Sequence, residues 1–308
     1  MKPAKFEYHV PSTLDQALEV LGSLAEDGDA KILAGGQSLI PLMNMRLSRP
    51  EHLIDLRNIL ELQRLSVDET SVVTGSMVTQ REVERSAAVA AGNPLLTSAI
   101  GNIAHFQIRE RGTIGGSIAH ADPSAELPLL AVLLDATIDI RGRVQGRTVQ
   151  AGDFFVSFLT TLLEEDEVVT QVRFSTLAPD EGWGFREFAR RRGDFALVAA
   201  AATVRLASGN YESARLAFSG VADVPTLLHE VSQLMVGEQP SRALWGEVGR
   251  RAALAIEPTS DAHASTEDRR DLMRYLTLQV LEDSTARALH PAPLSGRSRV
   301  GSDPLQLP

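Results

Sequence analysis

The sequence predicts a mixed protein, α/β or α+β, on three observations. It opens with a strand–helix–strand unit, its middle alternates strand and helix patterns, and a long hairpin followed by helices closes it. Alternating units followed by hairpins are the mark of mixed architectures.

In the first unit Phe6–Val10 alternates apolar and polar residues, and Pro11-Ser12 opens a helix with Ser12 as N-cap and Asp15 three residues on. Leu14, Ala17, Leu18, Leu21 and Ala25 recur at helical spacing, and Gly28-Asp29 ends the helix. Ala30–Ala34 reads as a buried strand running into Gly35-Gly36, and His52–Leu56 as a further strand. From residue 57 the pattern changes. Leu65–Val67 and Ser71–Gly75 form a hairpin around Asp68-Glu69-Thr70, and Arg81–Ala91 and Asn93–His105 read as helices broken at Gly92-Asn93-Pro94. A helix over Ala125–Leu134 follows, then strands at Thr137–Arg141, Arg147–Ala151 and Val168–Phe174. Pro179-Asp180-Glu181-Gly182 marks a boundary. Beyond it, Ala196–Leu206 and Tyr211–Val221 flank the hairpin signal Ser208-Gly209-Asn210, and Thr226–Met235, Ser241–Ala255 and Thr266–Leu289 read as helices. After His290 the residues are Pro, Ser, Gly and Arg without apolar period, which predicts a flexible tail over 291–308.

The 308 residues suffice for about two domains. Asp and Glu (40) exceed Lys and Arg (30), a net charge of −10, which argues against a nucleic-acid binder. Cysteine is absent, so these residues hold no disulfide, no thiolate nucleophile and no iron–sulfur cluster. The apolar runs Leu127–Leu134 and Ala196–Val204 fall short of the roughly 20 residues that span a bilayer. The N-terminus lacks an apolar export segment, so the expected location is the cytoplasm.

Two glycine turns carry the chemistry. Ile32-Leu33-Ala34-Gly35-Gly36-Gln37-Ser38-Leu39 empties a strand into paired glycines, where backbone N–H groups can converge on an anionic oxygen and Ser38 adds a donor. Arg111-Gly112-Thr113-Ile114-Gly115-Gly116-Ser117-Ile118 repeats the pattern with hydroxyls on both sides. Neither is a dinucleotide-binding or P-loop fingerprint, and each alone reads first as a tight turn; the two together make turn and anion cradle equally good readings, and one diphosphate held between two loops explains both.

Two further patches stand out. His120-Ala121-Asp122-Pro123-Ser124-Ala125-Glu126 suits a capped helix start, and a metal site on His120 and Asp122 with His105 has no supporting ligand spacing. Arg186 to Ala196 contains three consecutive arginines, as a solvated loop does, and Phe195, which can present an aromatic face to a planar ligand.

At these residues the chain resembles the FAD-binding medium subunit of molybdenum hydroxylases, the group that includes the carbon monoxide dehydrogenase medium subunit and the xanthine dehydrogenase flavin domain. The resemblance rests on Ala34–Pro41, on Gln107-Ile108-Arg109 leading to Arg111–Pro123, and on Arg190–Ala196, in that order. It implies an α+β, vanillyl-alcohol-oxidase (PCMH)-type fold: FAD-binding subdomains over 1–56 and 57–178, and a C-terminal domain over 179–290. It also implies Ile32 to Leu39 along the adenine side and pyrophosphate, with Thr113, Ile114, Gly115, Gly116 and Ser117 completing the cradle. By position it places Ile103 and Val169 against the cofactor, His120, Asp122 and Glu126 among its polar contacts, Arg186 where one branch has a lysine beside the flavin, and Phe195 where another has a tyrosine. Gln37 stands where some members have histidine, and Phe195 lacks the tyrosine hydroxyl.

The function implied is an oxidoreductase subunit that transfers electrons and has no catalytic side chain of its own. FAD takes electrons from [2Fe–2S] clusters on a small subunit, fed by a large subunit with a molybdenum cofactor, in a dimer of heterotrimers. A self-sufficient flavin oxidase of the same fold and a non-enzymatic scaffold subunit are the competing readings.

Overall fold

Three short strands form a parallel sheet in the order Glu7–His9, His52–Asp55, Ala30–Leu33. The computed structural model describes residues 2–24 and 30–291, so the predicted helix end at Gly28-Asp29, Ala25 and the predicted tail lie outside the described residues. The helix Leu14–Leu24 buries Leu14, Ala17, Leu18 and Leu21, the spacing read from sequence. Thr13, not Ser12, caps it. Because the first helical residue is Leu14, the hydroxyl in reach of the Gln16 N–H is that of Thr13, at 3.3 Å.

The middle of the chain builds a five-stranded antiparallel sheet in the order Leu65–Val67, Ser71–Gly75, Val168–Ser175, Thr137–Arg141, Gly146–Gln150. At its hairpin, Asp68 accepts backbone and hydroxyl hydrogen bonds from Thr70 and Ser71, which hold its carboxyl down to about 2. Of two predicted helices, the first is two shorter pieces and the second is cut short. Ser86, at φ −72° and ψ 113°, ends Gln80–Arg85 and caps Ala87–Gly92; the second stretch is helical only over Pro94–Ile100, and a separate short helix, Phe106–Arg109, starts after its expected end at His105. Glu126–Leu133 is helical as expected and buried along its whole length.

The last third holds a four-stranded antiparallel sheet, Glu181–Phe188, Val198–Ala207, Asn210–Ser219 and Thr226–Leu227, with the helices Arg242–Ala255 and Thr266–Leu289. Its first strand escaped the sequence reading, since glycines and charges disguise it. Added Cβ atoms on Gly182 and Gly184 would lie 1.8 Å and 2.3 Å from the carbonyl oxygens of Ser284 and Val280, so glycine permits the long helix to lie on the strand. The predicted helix over Thr226–Met235 begins instead as an edge strand, with helix only over His229–Gln233. Val198–Ala207 is apolar on both faces because both are covered. Ala199 and Ala201 join the core of the middle unit, whereas Val198, Ala200, Ala202 and Val204 pack with the C-terminal helices.

Candidate cofactor site

The strand Ala30–Leu33 delivers its last residue to the first glycine loop, and Gly36 there adopts φ +73°, a conformation that favours glycine. An added Cβ on Gly35 would lie 2.1 Å from the Arg111 carbonyl oxygen and 2.8 Å from Gly112 Cα. One on Gly116 would come within 3.2 Å of Ala34 Cβ. The two glycine segments, far apart in sequence, therefore pack directly together.

A cleft of about 370 Å³ opens at this junction, lined by Leu33–Gln37, Ile40, Pro41 and Asn44 and by Arg57 and Arg111. Among the described residues, the backbone N–H groups of Gly35, Gly36, Gln37 and Ser38 have no protein acceptor. Ser38 precedes the helix Leu39–Asn44 and its hydroxyl makes no capping bond. Gln37 turns back on the loop and donates to the Gly35 carbonyl at 3.0 Å, bracing the turn. Unspent amides, a free hydroxyl and two guanidinium groups around glycines too crowded for a Cβ suit a diphosphate. The residues present fit FAD.

The second segment is built differently from an open turn. Gly115-Gly116 lies in the first turn of the helix Ile114–His120, capped by the Thr113 hydroxyl, which accepts from the Gly116 N–H at 3.0 Å. The N–H groups of Ile114, Gly115 and Ser117 bond to the carbonyls of Val78, Ser76 and Thr113. Its amides are thus spent inside the protein, and its offering is the Thr113 and Ser117 hydroxyls. Gly115 is required by close approach, since a Cβ would fall 2.3 Å from Ser76 Cβ.

Ser76 and Gln80 were not predicted. Both are buried, and Ser76 Oγ and Gln80 Oε1 have no hydrogen-bond partner in a region where the glycine segments meet. Arg57 also escaped notice: it is half-exposed and bonded to the fully buried Asp55 at 2.6 Å, which raises its pKa. Asp55 accepts from Tyr8 as well, at 2.5 Å. The glycine that ends the strand Ser71–Gly75 is the one local signal for Ser76; the others are brought in by the tertiary fold.

The remaining expected residues divide. Ile32 and Leu39 are partly buried in the small cores beside the loop. Ile103 and Val169 are buried in the main core, and Val169 sits beside Thr170, whose carbonyl accepts from the Ser76 N–H at 2.9 Å. The Ile103 and Ala104 carbonyls are held by Arg109, which also forms a two-point ion pair with Glu84 at 3.0 and 3.1 Å. An added Cβ on Gly193, at φ +88°, would fall 2.8 Å from His105 Cε1, so the arginine-rich motif packs on this segment.

The helix Ile114–His120 ends at Ala121 in the left-handed conformation, φ 52°. Asp122 then accepts from the Ser124 N–H at 2.8 Å, a local turn bond. Among the described residues His105, His120 and Asp122 form no ligand cluster.

Glu126 is buried, and burial, then the charges of Glu187 and Asp122, push its carboxyl up to about 8. Burial alone pushes Glu187 up to about 7, and its Oε2 has no partner. Arg186 points elsewhere. It shares with Gly182 and Gly184 the face toward the long helix and pairs with Asp283 at 2.8 Å, leaving Glu187 as its neighbour on the Glu126 side. Phe195 is well exposed.

Comparison with known proteins accords with this geometry. A family described as "FAD binding domain in molybdopterin dehydrogenase" matches residues 4–176, and one described as "CO dehydrogenase flavoprotein C-terminal domain" matches 183–284. The carbon monoxide dehydrogenase medium chain of Hydrogenophaga pseudoflava is 36% identical over 291 residues, 93% of this chain and 99% of that protein. The caffeine dehydrogenase subunit beta of a Pseudomonas species is 32% identical over 291 residues, covering 94% and 98%. A chain in the structure of quinoline 2-oxidoreductase from Pseudomonas putida 86 superposes with a TM-score of 0.90 at 36% identity, over 94% of this chain and 100% of that one. With both parts matched in order and relatives covered end to end, the chain belongs to the family of FAD-binding subunits of molybdopterin dehydrogenases.

Proposed function

We propose that this chain is the electron-transfer flavoprotein subunit of a heteromeric molybdenum hydroxylase, an oxidoreductase component with no substrate site of its own. The observation that carries it is the junction of Gly35 with Arg111, which borders a cleft rich in unspent donors. FAD, when bound, supplies the two-electron capacity that links the one-electron [2Fe–2S] clusters of a small partner subunit to an external acceptor. The molybdenum cofactor belongs to a large partner subunit, and the assembly is a dimer of such heterotrimers. No helix among the described residues is long and apolar enough to cross a membrane, and the proposed location is the cytoplasm.

The chain's own residues bind and orient. The 34–38 loop, with Ser38, Thr113 and Ser117, holds the diphosphate, assisted by Arg57, Arg111 and the unpartnered Ser76. Ile103 and Val169 supply apolar walls, and Phe195 an aromatic face. Glu126, neutral near pH 7, offers both a donor and an acceptor to a polar ring edge. The proposed division into 1–56, 57–178 and 179–290 places the cleft between the first two parts. The relatives' names span carbon monoxide, caffeine and quinoline at similar identity, which supports a substrate choice made on another chain.

The test is anaerobic. The isolated, FAD-loaded chain is mixed with candidate substrates and flavin bleaching is followed, then the whole complex is treated likewise, with dithionite as the control. Substrate bleaches the complex only, whereas dithionite bleaches both. Bleaching of the isolated chain by substrate would replace this reading with the self-sufficient oxidase, and a colourless purified chain that takes up no FAD would favour the scaffold.

A further inference from the structure

Strand register gathers three metal-binding side chains that the sequence keeps apart. Glu7 and His9 are two residues apart and so share one face of the parallel sheet, and His52 lies directly opposite Glu7. His9 Nε2 is 3.1 Å from His52 Nδ1, and His52 Nδ1 is 3.6 Å from Glu7 Oε2. One ligand atom from each residue falls within 4.8 Å of the others.

The two imidazoles stand at hydrogen-bond distance, where one proton bridges them when no metal is bound, and the same spacing admits a shared cation. Ligand nitrogens on a tetrahedral zinc ion, at metal–nitrogen lengths near 2.0–2.1 Å, stand ~3.3 Å apart, close to the imidazole spacing here. The Glu7 carboxylate is too far from His52 to accept a hydrogen bond, yet a small rotation of this exposed side chain completes a third ligand. Both histidines are half-buried, which leaves a fourth position open to water. Two imidazoles and one carboxylate select a borderline transition metal over magnesium or calcium, which take oxygen ligands.

We propose that Glu7, His9 and His52 form a site for a divalent cation of the zinc class, which clamps the N-terminal strand to the central strand of its sheet. The clamp lies across the strand pair whose other side chains, Tyr8 and Asp55, lead to Arg57 at the cofactor cleft. Its role is structural, and it stands whether or not the cofactor reading holds.

The test uses the untagged full chain, stripped with a chelator and dialysed. Titration with Co²⁺ alone should give visible d–d bands that saturate at one equivalent and vanish on adding Zn²⁺, and Zn²⁺ should raise the melting temperature. His9→Gln and Glu7→Gln should each weaken binding at least tenfold, as should His52→Gln, while His229→Gln leaves it unchanged. Glu7 is exposed, so its variant keeps the test valid if a histidine variant fails to fold. Absence of saturable binding, or binding undiminished in both His9→Gln and Glu7→Gln, overturns the proposal.

Discussion

Gly35 stands so close to the Arg111 carbonyl that no other residue fits: an added Cβ would lie 2.1 Å from that oxygen. This contact ties the first glycine loop to the segment leading into the second, so the cleft exists only while both are in place. Gly35→Ala therefore pushes backbone against backbone, which has no flexible end to give way, at a cost of about 1–3 kcal/mol. The purified variant should contain less than a tenth of the wild-type flavin per chain, while its far-ultraviolet circular dichroism is unchanged. Full flavin content would separate the cleft from FAD.

Gly116→Val acts more gently. Its Cβ would meet the Thr113 hydroxyl at 2.8 Å and Ala34 Cβ at 3.2 Å, so a side chain moves first and the helix cap is disturbed. Loss of a cap costs about 1 kcal/mol. FAD titration should show weaker binding than wild type and stronger binding than Gly35→Ala, in a folded chain. An order reversed between the two variants would misplace the cradle.

Glu126 should give stability a falling pH dependence. A carboxyl whose folded pKa exceeds its unfolded value, here about 8 against 4.5, holds its proton more tightly when folded. Stability is then full below pH 4.5 and is lost as pH rises through about 8. Glu126→Gln removes that loss. Its melting temperature should match wild type near pH 5 and exceed it by at least about 3 °C at pH 8.5. Scanning calorimetry across this range decides it, and parallel curves for the two proteins would refute the burial argument.

Arg109 is a buried cation that joins Glu84 to the Ile103–Ala104 backbone. Burial pushes the Glu84 carboxyl up, but hydrogen bonds from Arg109 and Arg81 outweigh it and leave it below its ordinary value. Arg109→Ala leaves Glu84 with Arg81 as its remaining cation and takes the guanidinium from the Ile103 and Ala104 carbonyls, which should cost about 1–3 kcal/mol in chemical denaturation. A loss under about 1 kcal/mol would mean that water replaces the guanidinium at no penalty.

The sequence by itself determined the elements whose physics is local. Leu14, Ala17, Leu18 and Leu21 share a helical face by spacing alone. The Ser208-Gly209-Asn210 turn, where Ser208 and Gly209 both take positive φ, joins two strands through its own backbone demands. The paired glycines and their motifs were legible too, together with the family they belong to, because a residue without Cβ in a fixed run of neighbours is a chemical signature. What only the tertiary structure decided is which groups meet. Nothing near Gly35 announces Arg111, nothing near Ser76 announces Gly115, and His52 joins Glu7 and His9 through parallel register across another strand's connection. The Gly115-Gly116 pair reads as a turn in isolation, yet its N–H groups are taken up by Ser76 and Thr113, so it becomes a helix start. Glu187, hidden among arginines, owes its orientation to strand alternation, which sets Arg186 toward Asp283 and itself toward Glu126. Local spacing fixes periodicity and turn chemistry, whereas hydrogen-bond partners, burial and the pKa values that follow from it depend on distances between segments that no spacing along one chain encodes.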